Sequence, residues 1–286
     1  METNPVNFRQ EREFGDVINA TFTFISQNFK KLMKVLVFYG GPFYLIYGIL
    51  MGSLQLNIFS PLRTNTFSAG DMSTIAVKYF VLVLFAMIAH VMNYSLIYSY
   101  IRLYNENGKD GFEIPEVWKL ARKNFFMILG TSFVVGLMIV FATILFIIPG
   151  IYISVPLTLI IIIRVIERKD LGSSISRTFF LIKGKWWLTL GIILVAYLIS
   201  SSMTYVFMIP QYIMILLTAF HGKMAPSSGY LMTTFTAISS FFSLILTNIP
   251  LIVIAFHYFS LVEQKEQPGL LEKIESIGYE ENSSRL

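Results

Sequence analysis

Three side chains with chemical potential stand inside long apolar runs: His90, Asn93 and Asn248. An imidazole exchanges a proton near neutral pH, and an amide both donates and accepts hydrogen bonds. Each of His90 and Asn248 falls near the middle of its run, and an offset of 158 residues separates them. Polar groups at such depth in a membrane face the bundle interior. Two readings follow. One is a small midplane polar site, with His90 titratable and Asn93 one turn away. The other is a His90–Asn248 hydrogen bond between helices, worth about 0.6 kcal/mol in a membrane.

The residues that usually accompany catalysis are missing. The chain has no cysteine, which removes thiolate nucleophiles, thiolate metal ligands and disulfides. It has no phosphate-binding glycine loop, no metal-spaced His/Glu helix and no G-x-S-x-G elbow. No carboxylate lies deep in an apolar run, so carboxylate-pair catalysis and a carboxylate proton relay lack their central group. No cofactor or metal is implied, and the chain is expected to be a non-enzyme.

The elements that must position these residues are transmembrane helices. Hydrophobic residues make up 55% of the 286 residues and charged residues 14%, where a soluble domain carries about 25% charged. The apolar runs are continuous, without the period-two alternation of a membrane β-barrel. Six spans are predicted, near 33–57, 74–104, 126–147, 151–167, 186–208 and 231–262. The third and fourth form a tight hairpin turning at "IPG", residues 148–150. The segment "QYIMILLTAF" (211–220) is too short for another span. It is a re-entrant segment, an outer interfacial helix or an extension of the fifth span. Pro42, Pro156, Pro210 and Pro250 interrupt spans. Such breaks either expose backbone to a substrate or are tolerated because neighbours satisfy the freed carbonyl.

The N-terminus is polar, with no apolar stretch before a cleavage site, so the first apolar helix is expected to act as an uncleaved insertion signal. With both termini on the cytosolic side, every Lys and Arg except Arg63, Lys78 and Lys223 is cytosolic. That asymmetry predicts N-in, C-in insertion in a cytoplasmic membrane. It also explains the net charge of +5 without nucleic acid, and makes anionic lipid the natural partner.

An internal repeat organises the spans. "FGDVINATFTFISQNFKKLM" (14–33) aligns with "LGSSISRTFFLIKGKWWLTL" (171–190) at an offset of 157: Gly15 meets Gly172, Thr21–Phe22 meets Thr178–Phe179, and Phe29 meets Trp186. A weaker third copy, "IPEVWKLARKNFFMIL" (114–129), sets Trp118 on Phe22 and Asn124 on Asn28. The predicted fold is an all-α integral membrane protein of three parallel repeats, about 14–106, 114–170 and 171–264. Each is an interfacial amphipathic helix followed by a transmembrane hairpin. The apolar stripes are Phe14, Val17, Ile18, Phe22, Ile25 and Phe29 in the first copy, and Leu171, Ile175, Phe179 and Ile182 in the third. Arg177, Lys183 and Lys185 can snorkel to headgroups. Trp118, Trp186 and Trp187 sit where an aromatic belt would anchor the helices. A tail, 265–286, holds a short amphipathic helix with Leu270, Leu271, Ile274 and Ile277 on one face, suited to docking on a partner or on the protein itself.

The stretch "IIPGIYISVPLTLIIIIRVIERKDLGSSISRTFFLIKGKWWLTLGIILV" resembles the multi-span membrane domain of some bacterial glycerophosphoryl diester phosphodiesterases. It is also similar to free-standing membrane proteins common in Bacteroidota. The shared pattern is a "PG" hairpin, a basic interfacial segment with tryptophan, and another span. It is best over about 110–200. The soluble catalytic barrel of those phosphodiesterases has no counterpart here, so the resemblance implies architecture without their activity. It also implies a subunit of a membrane complex. Two functions are therefore expected as alternatives: a non-enzymatic subunit or scaffold working with other integral membrane proteins, or a transporter or lipid-handling protein using a midplane polar site.

Overall fold

A computed structural model describes residues 5–64, 69–221 and 226–267. Its helices are α1 (Phe14–Val35), α2 (Gly41–Thr64), α3 (Ala69–Asn107), α4 (Ile114–Leu145), α5 (Ile147–Leu157), α6 (Ile160–Ile166), α7 (Leu171–Ile182), α8 (Trp186–His221), α9 (Pro226–Leu246) and α10 (Asn248–Glu266). No strand occurs among the described residues. Six stretches are long and apolar enough to cross a membrane: Phe14–Ile58, Gly70–Asn107, Ile114–Leu145, Ile147–Ile166, Trp186–Met214 and Tyr230–Glu266. The chain is thus an all-helical protein with the character of a multi-pass membrane protein.

Local sequence sets the helix ends. Glu113 and Glu116 form a reciprocal capping box at the start of α4, with a proline in its first turn. Asp170 caps α7 by accepting from the Ser173 backbone N–H at 3.1 Å. Hydrogen bonds from Ser173 hold this carboxyl below the usual carboxylate range. Gly184, at φ 82°, makes the left-handed turn that separates α7 from α8.

Several boundaries differ from those expected. Of the three expected interfacial helices only α7 is separate from the span that follows it. α1 runs into α2 through a π-turn, Leu36–Gly40, where the Gly41 N–H reaches the Leu36 carbonyl. α4 carries its basic segment and its span as one helix. The hairpin turns at Phe146, which adopts extended backbone between α4 and α5. Pro149 and Gly150 instead lie in the first turn of α5, where a proline N–H is not needed. A Cβ at Gly150 would meet Thr143 Cα at 2.9 Å, so the glycine lets the two arms close. Residues 211–220 continue α8. The expected tail helix, with Leu270, Leu271, Ile274 and Ile277, lies outside the described residues.

The faces that pack are also shifted. α1 buries Val17, Thr21, Phe24, Asn28, Leu32 and Val35, while Phe14, Phe22 and Phe29 stay exposed. α7 buries Ser174, Thr178, Leu181 and Ile182 and leaves Phe179 exposed. The expected stripes are thus split: Phe14, Phe22, Phe29 and Phe179 point outward, while Val17 and Ile182 pack inward. Outward aromatic rings cost little where the surrounding solvent is lipid, since tails are as apolar as a core. α4 buries Val117, Ala121, Asn124, Ile128 and Thr131.

α10 is the axis of the core. Every residue from Asn248 to Leu261 is buried, as expected of a helix surrounded on all sides, here by α1, α3, α7, α8 and α9. At its charged end the N-terminal segment folds back onto it. Phe8 stacks on Phe256 with ring centroids 4.4 Å apart and meets Phe24 edge-on at 5.2 Å. The Ser260 hydroxyl donates to the Arg12 carbonyl and accepts from the Arg12 N–H. At the other end α2 and α9 lie in direct backbone contact. A Cβ on Gly48 would come within 2.6 Å of Ala237 Cα, and one on Gly52 within 2.8 Å of Thr233 Cα.

Candidate functional site: a hydroxyl-lined cavity at His90

α3 places His90, Asn93 and Tyr94 on one face, because residues three and four apart are neighbours on a helix. Three cavities meet at His90, of about 500, 370 and 170 Å³. The largest opens between α3 and α8 and is lined by Asn93, Tyr94, Tyr197, Ser200, Thr204 and Thr247 among others. The second reaches toward α4–α6, past Ser132, Ser154 and Thr158, and shares Tyr94 and Tyr197 with the first. The smallest runs between α2, α8 and α9, past Tyr44, Gln55, Gln211 and Ser240. None of the three is lined by Asp, Glu, Lys or Arg.

Some polar groups here have unused hydrogen-bonding capacity. His90 Nδ1 lies 2.8 Å from the Ala86 carbonyl. A carbonyl only accepts, so this geometry assigns the proton to Nδ1 and leaves Nε2 as an acceptor in the neutral ring. Asn93 is only 3% exposed, and its Oδ1 has no hydrogen-bond partner. Gln211 Oε1, which lines the smallest cavity, is likewise buried without a partner. Leaving a buried polar atom unpaired costs about 1–3 kcal/mol. Buried polar atoms are normally paired, so such groups are places for a guest or an ordered water.

His90 and Asn248 do not bond to each other. Asn248 is buried and donates Nδ2 back to the Leu244 carbonyl of its own chain at 2.5 Å. Its Oδ1 is unpaired, but it does not line the His90 cavities. The expected interhelical pair is thus replaced by two local bonds, one within α3 and one across the α9–α10 break. Asn248 belongs to the break between α9 and α10, where Thr247 and Pro250, rather than the amide, border the largest cavity.

The prolines divide by what neighbours do for them. Pro156 cannot donate to the Tyr152 carbonyl, and Trp186 Nε1 donates to it at 3.0 Å. Pro250 leaves the Leu246 carbonyl, which accepts from the Ser200 hydroxyl at 2.9 Å. Pro210 lies inside the continuous α8, and the Ser239 hydroxyl donates to the adjacent Phe207 carbonyl at 2.9 Å. Pro42 follows the π-turn directly. Two of the four breaks, at Pro156 and Pro250, are therefore repaired by side chains from other helices.

The expected membrane anchors also divide. Lys183, Lys185 and Trp187 are exposed. Arg177 is not free to reach headgroups: its side chain is 12% exposed and is paired with Glu167 and Glu266. Those bonds, Glu266 first, hold its guanidinium proton above the usual range. Trp186 is committed to Tyr152, and Trp118 stacks on Tyr39 at 4.8 Å. Among the described residues no group of acidic, His or Cys side chains could hold a metal ion.

Sequence reading did not single out the tyrosines. Tyr94 stands four residues after His90, and "SSSMTY" (200–205) presents Ser200, Ser201, Thr204 and Tyr205 at helical spacing. That hydroxyl periodicity inside apolar runs was the available signal. Comparison with protein-family models, with curated proteins and with solved structures finds no match to this chain.

Proposed function

We propose that this protein binds an uncharged, hydroxyl-bearing amphiphile within the bilayer and handles or moves it, without catalysis. The observation that carries the reading is the meeting of three cavities at His90, bordered by buried acceptors that lack partners. Unpaired amide oxygens and a free imidazole nitrogen call for a donor. Tyrosine and serine hydroxyls supply either role. The absence of a lining cation argues against a phosphate headgroup at this level and for a neutral one, such as an alcohol or a diacylglycerol. A scaffold reading draws on the poor inventory of catalytic groups, but a scaffold has no use for an open polar cavity at mid-bundle.

The three-copy architecture belongs to the same proposal. At the offset of 157 the buried Val17, Thr21 and Phe24 of α1 correspond to the buried Ser174, Thr178 and Leu181 of α7. At 96, the buried Thr21, Asn28, Leu32 and Val35 correspond to Val117, Asn124, Ile128 and Thr131 of α4. Equivalent faces packing inward support a tandem origin. The distribution of Lys and Arg supports an insertion with both termini cytosolic.

Photo-crosslinking tests the function directly. A diazirine-bearing diacylglycerol or long-chain alcohol should label α3 and α8 around His90, and Asn93→Leu should reduce that labelling several-fold. Labelling spread evenly over the lipid-facing surface, or indifferent to Asn93→Leu, would overturn the reading.

A further inference from the structure

A second cleft lies at the charged end of the bundle, independent of the His90 cavity. It has a volume of about 520 Å³ and is bordered by α3, α4, α6 and the α6–α7 loop. Five cations line it: Arg102 from α3, Lys123 from α4, Arg164 from α6, and Arg168 and Lys169 from the loop. We propose that this cleft is a binding site for a phosphate mono- or diester, the chemistry shared by an anionic phospholipid headgroup and a soluble phosphate compound.

The cations are incompletely answered by carboxylates. Glu106 takes Arg102 at 2.9 Å and Arg168 at 3.7 Å, and Glu167 takes Lys169 at 2.6 Å. Asp170, the one carboxylate on the rim, caps α7 and acts on Arg164 only from beyond salt-bridge distance. Among the described residues no carboxylate lies in salt-bridge range of Lys123 or Arg164. Arg164 instead spends hydrogen bonds on the Thr131 hydroxyl and on the Lys169 carbonyl, which fixes its guanidinium in the cleft wall. A guanidinium so held is a preorganised anion receptor, and Lys123 adds a mobile charge beside it.

Position favours the lipid. No charged residue occurs in the chain between Lys123 and Arg164. These two side chains therefore close the same uncharged hairpin at the same end, the level at which hydrocarbon gives way to headgroups. Leu120 and Met127 supply apolar wall beside the cations, and Phe126 is exposed next to them. A headgroup could sit among the cations while its acyl chains follow α4 into the bilayer. Basic clefts between spanning helices hold anionic lipids in this manner.

The test uses the full chain in detergent with mixed phosphatidylglycerol and phosphatidylcholine, reading retained lipid by native mass spectrometry. Phosphatidylglycerol should be retained preferentially, and Lys123→Gln and Arg164→Gln should each weaken its retention about fivefold. Lys78→Gln, near the opposite end of α3, should leave it unchanged. Lys123 is exposed and makes no hydrogen bond among the described residues, so its variant decides the matter if Arg164→Gln folds poorly. A second arm measures thermal protection by inorganic phosphate and glycerol 3-phosphate. Protection that Lys123→Gln abolishes identifies a soluble phosphate compound as ligand; selective lipid retention without it identifies the headgroup. Retention indifferent to Lys123→Gln with no protection by phosphate, or an equal loss in Lys78→Gln, would overturn the proposal.

Discussion

Trp186 donates its indole N–H to the Tyr152 carbonyl, the very group that Pro156 leaves without a backbone donor. The bond joins the start of α8 to the middle of α5, so a proline break is converted into a contact between helices. Ser200 does the same for the Leu246 carbonyl freed by Pro250. In a bilayer, where no water can reach the backbone, this repair is what allows a broken helix to persist. A cycle of substitutions isolates it. Trp186→Phe keeps an aromatic ring on Tyr152 but removes the donor, and should cost about 1 kcal/mol by thermal unfolding in detergent. In a Pro156→Ala background, residue 156 can donate to the carbonyl itself, and Trp186→Phe should then cost much less. Strict additivity of the two changes would show that the indole N–H has no part in the repair.

Glycine does a different task at the opposite end. Gly48 and Gly52, four residues apart on α2, allow α9 to approach to backbone contact. Small residues at this spacing drive helix association in membranes, where there is no hydrophobic force between helices. Gly48→Ala would force a methyl to within 2.6 Å of Ala237 Cα, which only a backbone shift relieves. Such overpacking costs about 1–3 kcal/mol. Gly48→Ala should therefore destabilise the protein by that amount, read as a lower thermal unfolding midpoint in detergent. Gly130 and Gly136 have open space around them, so Gly136→Ala should have no such effect.

The cavity makes a prediction in which stability and binding move in opposite directions. Asn93 is buried with an unpaired Oδ1, so the empty protein carries its desolvation cost. Asn93→Leu, close in volume and without polar atoms, should stabilise the ligand-free protein by about 1 kcal/mol while reducing retention of a neutral amphiphile several-fold. Functional sites commonly hold such a trade. A variant that loses both stability and binding would mean that Asn93 is a structural residue whose partner is ordered water.

How much of this was legible in the sequence depends on the force involved. Continuous apolar runs had to become helices long enough to span a bilayer, and six of them did. His90 was visible as a polar residue at depth, and its neighbour Asn93 followed from helical spacing. The His90–Asn248 pairing was not reliable, because a shared offset in sequence says nothing about rotation, and each side chain found a carbonyl four residues before it in the chain. The apolar stripes of α1 and α7 divide: Phe22, Phe29 and Phe179 are exposed, as a face turned to a membrane would be, whereas Val17 and Ile182 pack inward beside Thr21, Asn28 and Thr178. Phe8 was hidden in a polar segment. Nothing local reveals that it stacks on Phe256, more than two hundred positions away. Arg177 read as a headgroup anchor because its carboxylate partners lie on other elements.

That last misreading leads to a measurable hierarchy among the two partners of Arg177. Glu167 is mostly shielded, with 14% of its side chain exposed, and it serves Arg177, Lys169 and the Tyr258 hydroxyl together. Glu266 is 41% exposed and meets Arg177 alone among these. The Arg177 proton is held above its usual range chiefly by the Glu266 bond, with Glu167 contributing next. Exposure decides how much each is worth in stability. An exposed pair is screened by solvent and contributes roughly 0–1 kcal/mol. Removing a shielded carboxylate leaves a guanidinium and a hydroxyl with unpaired groups, which costs about 3 kcal/mol or more. Glu167→Ala should therefore destabilise α7 against α10 far more than Glu266→Ala does, and high salt should erase the Glu266 effect first. Hydrogen exchange in α7 reads both outcomes. Equal effects of the two substitutions would place the strength of the tie in the bond to Glu266 and remove burial as its determinant.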